Sequence, residues 1–189
     1  MEALGLTPLD FVALAVLVFT AITMLWAPMV LQLSGPPWLL SHTEVGLFGI
    51  AGAVGAVGAA FAGNLADRGL AERVTGAGLV LMLIAWAPIA LLDRSLFWLL
   101  LGVLIIDFAL QGVHVSNQAL LHLSGAGARG WLTAGYMLLY SAGSAIGSIT
   151  STLIFDAAGW LGVCVAGAMT GACALGFWLI MKRPGCVET

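Results

Sequence analysis

The sequence predicts an all-α membrane protein with six transmembrane helices. Hydrophobic residues make up 61% of the 189-residue chain, charged residues make up only 8%, and the mean hydropathy is +1.09. A soluble domain needs about a quarter of its residues charged, so this composition excludes a water-soluble globule. Apolar segments of about the 20-residue length that crosses a bilayer recur six times along the chain.

These segments follow one another without a long linker, which predicts a single transmembrane domain over residues 1–189. Their expected bounds are 10–33, 44–64, 74–92, 96–119, 131–154 and 160–181. Ser41 and Glu44 have the spacing of a capping box, which predicts that the second helix begins there. Pro28 predicts a kink or an early end in the first helix.

The fourth segment carries a row of polar side chains within its apolar sequence. They are Asp107, Gln111, His114, Asn117, Gln118 and His122. At about 100° per residue all but Asn117 fall within an arc of roughly 80°, and Asn117 lies on its flank. Because ionisable groups in hydrocarbon are costly unless they meet water or a partner, this stripe predicts a cavity through the membrane. The alternative is that Asp107 pairs with a polar neighbour and only holds helices together.

The second and fifth segments are rich in small residues, which favour close approach of helices. Glycines recur at positions 46, 49, 52, 55 and 58, and Gly143 and Gly147 form a Gly-xxx-Gly pair. Their partner backbone lies either within this chain or in a second one. Tyr136 and Tyr140, one helical turn apart, are expected to line the same cavity as the polar stripe.

Composition also argues against several kinds of site. The net charge of −3 and six scattered Lys and Arg residues form no basic patch, so nucleic acid is excluded as a partner. The three cysteines have no metal-ligand spacing, and Asp107 with His114 supplies too few ligands. We therefore predict neither a metal site nor a cofactor.

The distribution of cations predicts the orientation in the membrane. One face receives Arg68, Arg73, Arg129, Lys182 and Arg183, and the other receives Arg94. This asymmetry places both termini in the cytoplasm. All seven tryptophans lie in loops or near predicted helix ends, as expected of interfacial anchors.

The loop after the second segment contains a recognisable motif. Gly63, Leu65, Ala66, Asp67 and Arg68 match the Gly-x-Leu-Ala-Asp-Arg-x-Gly-Arg-Arg loop signature of the major facilitator superfamily (MFS). Leu70 replaces its second glycine, and Ala71-Glu72-Arg73 replaces the paired basic residues. With the polar fourth helix, the chain resembles helices 7–12 of a bacterial efflux-type member.

This resemblance implies a half-transporter of the cell inner (plasma) membrane, built as a 3+3 inverted repeat. A complete member has twelve helices, so the chain would be a truncated product, one part of a split transporter or a unit that dimerises. With a second six-helix half, either another chain or a second copy, it would move a small solute by proton-coupled alternating access. Asp107 would bind the proton, and Gln111, His114, Asn117, Gln118, Tyr136 and Tyr140 would line the cavity. Gly63, Asp67 and Arg68 would form a gating loop. Gly49, Gly52, Gly55, Gly143 and Gly147 would pack between the halves.

Two other classes are weighed against this one. A rhomboid-like intramembrane enzyme needs a Gly-x-Ser-Gly nucleophile on the fourth helix and a histidine on the sixth, and neither occurs. We therefore predict that the chain is not an enzyme. A non-transporting membrane subunit, which would bind a partner through its glycine-rich faces, stays open and predicts that Asp107→Leu is tolerated.

Overall fold

The computed structural model describes residues 8–124 and 129–181, and the regular structure in these ranges is helical. Its elements are α1 (Pro8–Ser34), α2 (His42–Asp67), α3 (Ala71–Ala90), a 3-10 turn (Leu92–Arg94), α4 (Leu96–Ser124) and α5 (Arg129–Met181). Five helices in this part of the chain are long and apolar enough to cross a membrane. The expectation of an all-helical, multi-pass membrane protein is confirmed at this level.

The 53-residue α5 is interrupted at Gly159, whose backbone is not helical (φ 66°, ψ −165°). Before the interruption, Gly143 contacts Val16 and Gly147 contacts Thr20, so this stretch runs parallel to α1. After it, Thr170 contacts Met24, and Trp178 lines a small cavity with Phe11. The second stretch therefore returns along α1, and the division of α5 into two separate spans stays a prediction.

The start of α2 follows its sequence signature. The Ser41 backbone N–H donates to Glu44 Oε2 at 2.8 Å, and the Glu44 N–H donates to the Ser41 hydroxyl at 3.3 Å. These two bonds form the predicted capping box. In contrast, α1 continues past Pro28 to Ser34, so this proline does not end its helix.

The connection between α2 and α3 is a tight helix-ending turn around Gly69. The Gly69 N–H donates to the Ala66 carbonyl at 2.9 Å, and the Leu70 N–H donates to the Leu65 carbonyl at 3.0 Å. This pair of bonds is a Schellman motif, which requires a left-handed residue after the cap. Gly69 meets that requirement with a φ of 75°.

The apolar core lies between α1, α3, α4 and α5 and includes Trp86 and Trp160. Trp86 is 2% exposed, and the buried Trp160 donates its indole N–H to the Ile89 carbonyl at 3.1 Å. Interpreting these two as interfacial anchors was wrong, because their rings pack against protein. Lys182, Arg183 and residues 125–128 lie outside the described ranges, so the orientation of the chain stays a prediction.

Candidate functional site

The polar stripe lies on α4, which packs against α2 and α3 on one side and α1 on another. Asp107 is 6% exposed and sits roughly 17 Å along the helix from Leu96. The small residues of α2 give it space: a Cβ atom at Gly52 would lie 3.9 Å from Asp107 Oδ2, and one at Gly55 would lie 3.4 Å from the Asp107 carbonyl oxygen. A carboxylate therefore lies buried midway along a membrane-length helix.

Asp107 interacts with Trp26 and has an unsatisfied carboxylate oxygen. The Trp26 indole on α1 interacts with its carboxylate, and Oδ2 is buried with no hydrogen-bond partner in the described part of the chain. An unsatisfied carboxylate oxygen in an apolar environment is costly, and binding a proton would relieve this cost. Neither Trp26 nor its contact was foreseen, because an apolar helix gives no sign of where one indole points.

About two turns beyond Asp107 on α4, His114 is the centre of a hydrogen-bonded chain. Its Nε2 atom lies 3.3 Å from Gln118 Nε2, and its Nδ1 atom lies 3.0 Å from the Tyr136 hydroxyl. Because an amide nitrogen only donates, His114 Nε2 is the acceptor, and Nδ1 then carries the proton and donates to Tyr136. The geometry thus selects a neutral imidazole with a defined tautomer.

Aromatic rings enclose the other side of His114. The Phe19 ring meets the imidazole edge to face at a centroid distance of 5.2 Å and contacts the Tyr140 ring at 4.4 Å. Tyr136 is 1% exposed, while Tyr140 is half-buried. Phe19, like Trp26, belongs to the apolar α1 and was not predicted as a site residue.

Asn117 has a different position from the rest of the stripe. It is 1% exposed, and its amide nitrogen donates to the Phe11 carbonyl at 2.8 Å, which ties α4 to the first turns of α1. Its Oδ1 atom has no partner among the described residues. Asn117 also lines a cavity of about 10 Å³ with Glu72 and Thr75, which is room for one water molecule.

The predicted cavity residues therefore form two neighbouring groups. Asp107 and Gln111 lie against α2, and the Gln111 Cγ atom is 3.0 Å from the Cβ position of Gly55. The second group, between α1 and α5, contains His114, Gln118, Tyr136 and Tyr140. Gln111, His114, Gln118 and Tyr140 are each half-buried, so a polar patch reaches the surface of this chain. The His122 side chain lies outside the described part.

Four of the five packing glycines contact helices of this same chain. A Cβ atom at Gly143 would lie 2.5 Å from the Val16 carbonyl oxygen, and one at Gly147 would collide with Thr20 and Thr23. Gly52 and Gly55 face Asp107 of α4. Gly49 is exposed, with nothing within 4 Å of its Cβ position. Packing within the chain thus accounts for four of these glycines, and a role between halves stays a prediction.

The loop motif lies at the end of α2. Asp67 is the last residue of that helix, Arg68 is its C-cap, and both are exposed. Gly63 is half-buried, with its Cβ position 4.0 Å from Val115 Cγ1. The N-cap of α3 is Leu70, and no side chain caps it.

Similar proteins are found in two bacterial strains. The chain is 41% identical over 165 residues to the "Putative uncharacterized transporter YgaY" of Escherichia coli (strain K12), and equally to the "Uncharacterized transporter YgaY" of Escherichia coli O157:H7. The match covers 87% of this chain and 42% of each relative. No protein-family model and no solved structure matches the chain. Both relatives are named as transporters, in agreement with the prediction that the chain is not an enzyme.

Proposed function

We propose that this chain is one half of a transporter that moves a small solute across a membrane by alternating access. The relatives named as transporters support a transport role. Each is more than twice as long as the matched region, which leaves room for a second half of similar size.

The topology we propose is that of an MFS half, with two inverted repeats of three spans. The first repeat is α1 to α3, and the second is α4 with the two stretches of α5 on either side of Gly159. The reversal of direction at Gly159 supports this division. Inverted repeats of this kind place their binding sites near the bilayer midplane. Both termini would lie on the cytoplasmic side of the inner membrane.

The observation that carries the proposal is the buried Asp107 carboxylate with its unsatisfied Oδ2 atom. In our proposal a proton binds there, and the loss of charge changes the relative stability of the inward-open and outward-open states. The half-buried side chains of Gln111, His114 and Gln118, with the two tyrosines, would form the wall of the solute cavity that faces the second half. Asn117 would hold the cytoplasmic end of that wall to α1.

We propose that Gly63, Asp67 and Arg68 act as a gating loop. The Schellman turn fixes the path of the backbone between α2 and α3, and the Asp67 carboxylate and the Arg68 guanidinium are both exposed. An exposed ion pair is weak, which suits a contact that must form and break during each cycle. The opposite charge in this ion pair would come from a neighbouring helix of the complete transporter.

The test is proton-coupled flux with Asp107→Asn in proteoliposomes that contain the chain and its second half. Wild-type protein should acidify or alkalinise the lumen when a transported solute from a screened panel is added. Asp107→Asn should abolish this proton movement but retain solute exchange, because neutral asparagine imitates the protonated state. Asp156→Asn, at an exposed carboxylate, is the matched control. Unchanged proton-driven flux in Asp107→Asn would exclude proton binding at this residue.

The second candidate is a non-transporting membrane subunit, and the Trp26 contact with Asp107 favours it. In that case the chain would bind its partner through its glycine-rich faces, and Asp107 would have no role in transport. Asp107→Leu would then leave assembly with the partner intact, and no solute would cross the liposomes. The mass of the detergent-solubilised assembly, compared with 19.5 kDa for one chain, distinguishes a monomer from a dimer and from a complex with another half.

A further inference from the structure

Two apolar grooves run along α3. The first, about 270 Å³, lies between α2, α3 and α4, and its walls include Phe61, Leu65 and Phe108. The second, about 670 Å³, lies between α3 and α5, and its walls include Val80, Leu175 and Leu179. On α4 the first groove is roughly 140° around the helix from the polar stripe. These grooves are therefore separate from the proposed solute cavity.

Three residues of α3 belong to both grooves: Arg73, Ala77 and Leu81. They are spaced by four residues, so they form one row along the exposed side of the helix. The row separates the two grooves as a ridge, and Arg73 stands at its end. This side chain is exposed, and it is the cation that the two grooves share.

Close helix packing accounts for the depth of the first groove. A Cβ atom at Gly78 would lie 2.6 Å from Val113 Cγ2, and one at Gly58 would lie 2.8 Å from the Phe108 carbonyl oxygen. Larger residues at these positions would push the helices apart. Phe61, 58% exposed, forms an outer wall. The groove is thus built by backbone contacts that its own glycines permit.

The dimensions fit a lipid chain. From Arg73 to Leu81 the helix rises about 12 Å, close to the depth of one leaflet in a hydrocarbon core about 30 Å thick. A guanidinium binds phosphate oxygens in a bidentate manner. One cation at the head of two apolar grooves therefore matches one phosphate that carries two acyl chains. A protein helix would fit less well, because the ridge divides the surface that it would need.

We propose that Arg73 and the two grooves bind a glycerophospholipid. Its phosphate pairs with the Arg73 guanidinium, and one acyl chain lies on each side of the ridge formed by Ala77 and Leu81. This site is independent of the proposed transport function, since it uses none of the residues of the polar stripe. It makes a bound lipid a structural component of the α2–α3–α4 and α3–α5 contacts.

The test is a lipid titration of the purified full chain in detergent, followed by native mass spectrometry. The probe is dioleoylphosphatidylglycerol, with Arg73→Ala compared against Arg68→Ala, an exposed arginine that lines neither groove. Arg73→Ala should weaken binding by about tenfold, the order expected for the loss of a charge-assisted hydrogen bond. Arg68→Ala should have little effect. Equal weakening by both variants would show diffuse attraction and overturn the proposal.

The acyl grooves are tested separately. Ala77→Phe should obstruct both grooves and weaken binding, whereas Ala87→Phe, on an exposed position of α3 outside either groove, should not. Dioleoylglycerol, which lacks the phosphate, and a one-chain lysophosphatidylglycerol should each bind more weakly than the two-chain lipid. Equal binding of the lysolipid would contradict the two-groove arrangement. Circular dichroism and gel filtration establish that each variant is folded before its binding is compared.

Discussion

The Tyr136 hydroxyl lies 3.0 Å from His114 Nδ1, and the two residues join α5 to the polar stripe of α4. Tyr136 is 1% exposed, so little water can replace this hydrogen bond if it is lost. The Phe19 and Tyr140 rings cover the imidazole from the other side. This pair therefore fixes the orientation of the histidine in the wall of the proposed cavity.

Tyr136→Phe should lower the stability of the protein. The substitution keeps the ring but removes the acceptor for His114 Nδ1, and a buried donor left without a partner costs about 1–3 kcal/mol. Tyr140→Phe is the matched control, because the contacts described for Tyr140 are made by its ring. The check is the thermal unfolding midpoint of both variants in one detergent. Equal midpoints would show that the hydroxyl of Tyr136 does not stabilise the fold.

Trp26→Phe should destabilise the protein through Asp107. Loss of the indole N–H removes its interaction with the buried carboxylate, at a cost of about 0.5–1.5 kcal/mol, the order of a single hydrogen bond. Trp38→Phe removes an indole of the same size whose buried N–H has no partner among the described residues, so it controls for lost ring volume. The thermal unfolding midpoint should fall further for Trp26→Phe than for Trp38→Phe.

A double-mutant cycle makes this prediction specific. In an Asp107→Asn background the carboxylate charge is absent, so Trp26→Phe should cost clearly less than it does in the wild-type chain. If the two costs are equal, the indole stabilises the protein by packing and not through the carboxylate. The same cycle with Trp38→Phe should show no coupling.

How far the sequence predicts the fold depends on which interactions are local. The capping box of α2 involves residues three apart, so Ser41 and Glu44 identify the start of that helix before any tertiary contact is known. Hydropathy likewise marks the membrane-length helices, since each must be apolar over its own length. Pro28 shows the opposite case. The local rule for proline allows either a kink or an end, and only the structure shows that α1 continues past Pro28 to Ser34.

The site was predictable on α4 and not on α1. The polar residues of α4 contrast with their apolar neighbours, so their spacing identifies a shared face. Phe19 and Trp26 are apolar residues in an apolar helix, and only the packing of α1 against α4 and α5 shows that they touch His114 and Asp107. Interpreting Trp86 as an interfacial anchor was wrong for a related reason, since position near a helix end does not reveal burial.

Gly143→Ala should destabilise the contact between α1 and α5. The new Cβ atom would lie 2.5 Å from the Val16 carbonyl oxygen and 3.0 Å from its Cα atom. Because backbone atoms cannot move aside cheaply, we expect a loss of about 1–3 kcal/mol. Gly135→Ala, with nothing within 4 Å of its Cβ position, should gain up to about 1 kcal/mol from helix propensity. Chemical or thermal unfolding should show changes of opposite sign in the free energy of unfolding of the two variants.

If Gly143→Ala proves as stable as Gly135→Ala, the close approach of α1 and α5 is not a feature of the protein in solution. The glycine pair would then be free to contact a second half, as the sequence alone allowed.

Gly159→Ala tests the reversal of the chain within α5. Space does not limit this position, since nothing lies within 4 Å of its Cβ position. The backbone does limit it, because φ of 66° with ψ of −165° belongs to a region that is essentially restricted to glycine. We expect alanine to cost about 1–3 kcal/mol, although it is the better helix former by about 1 kcal/mol in a regular helix. Gly176→Ala, also with an open Cβ position but within regular helix, should stabilise the protein in the same unfolding assay. A stabilising Gly159→Ala would mean that the backbone is helical there, and the two stretches of α5 could not then lie antiparallel along α1.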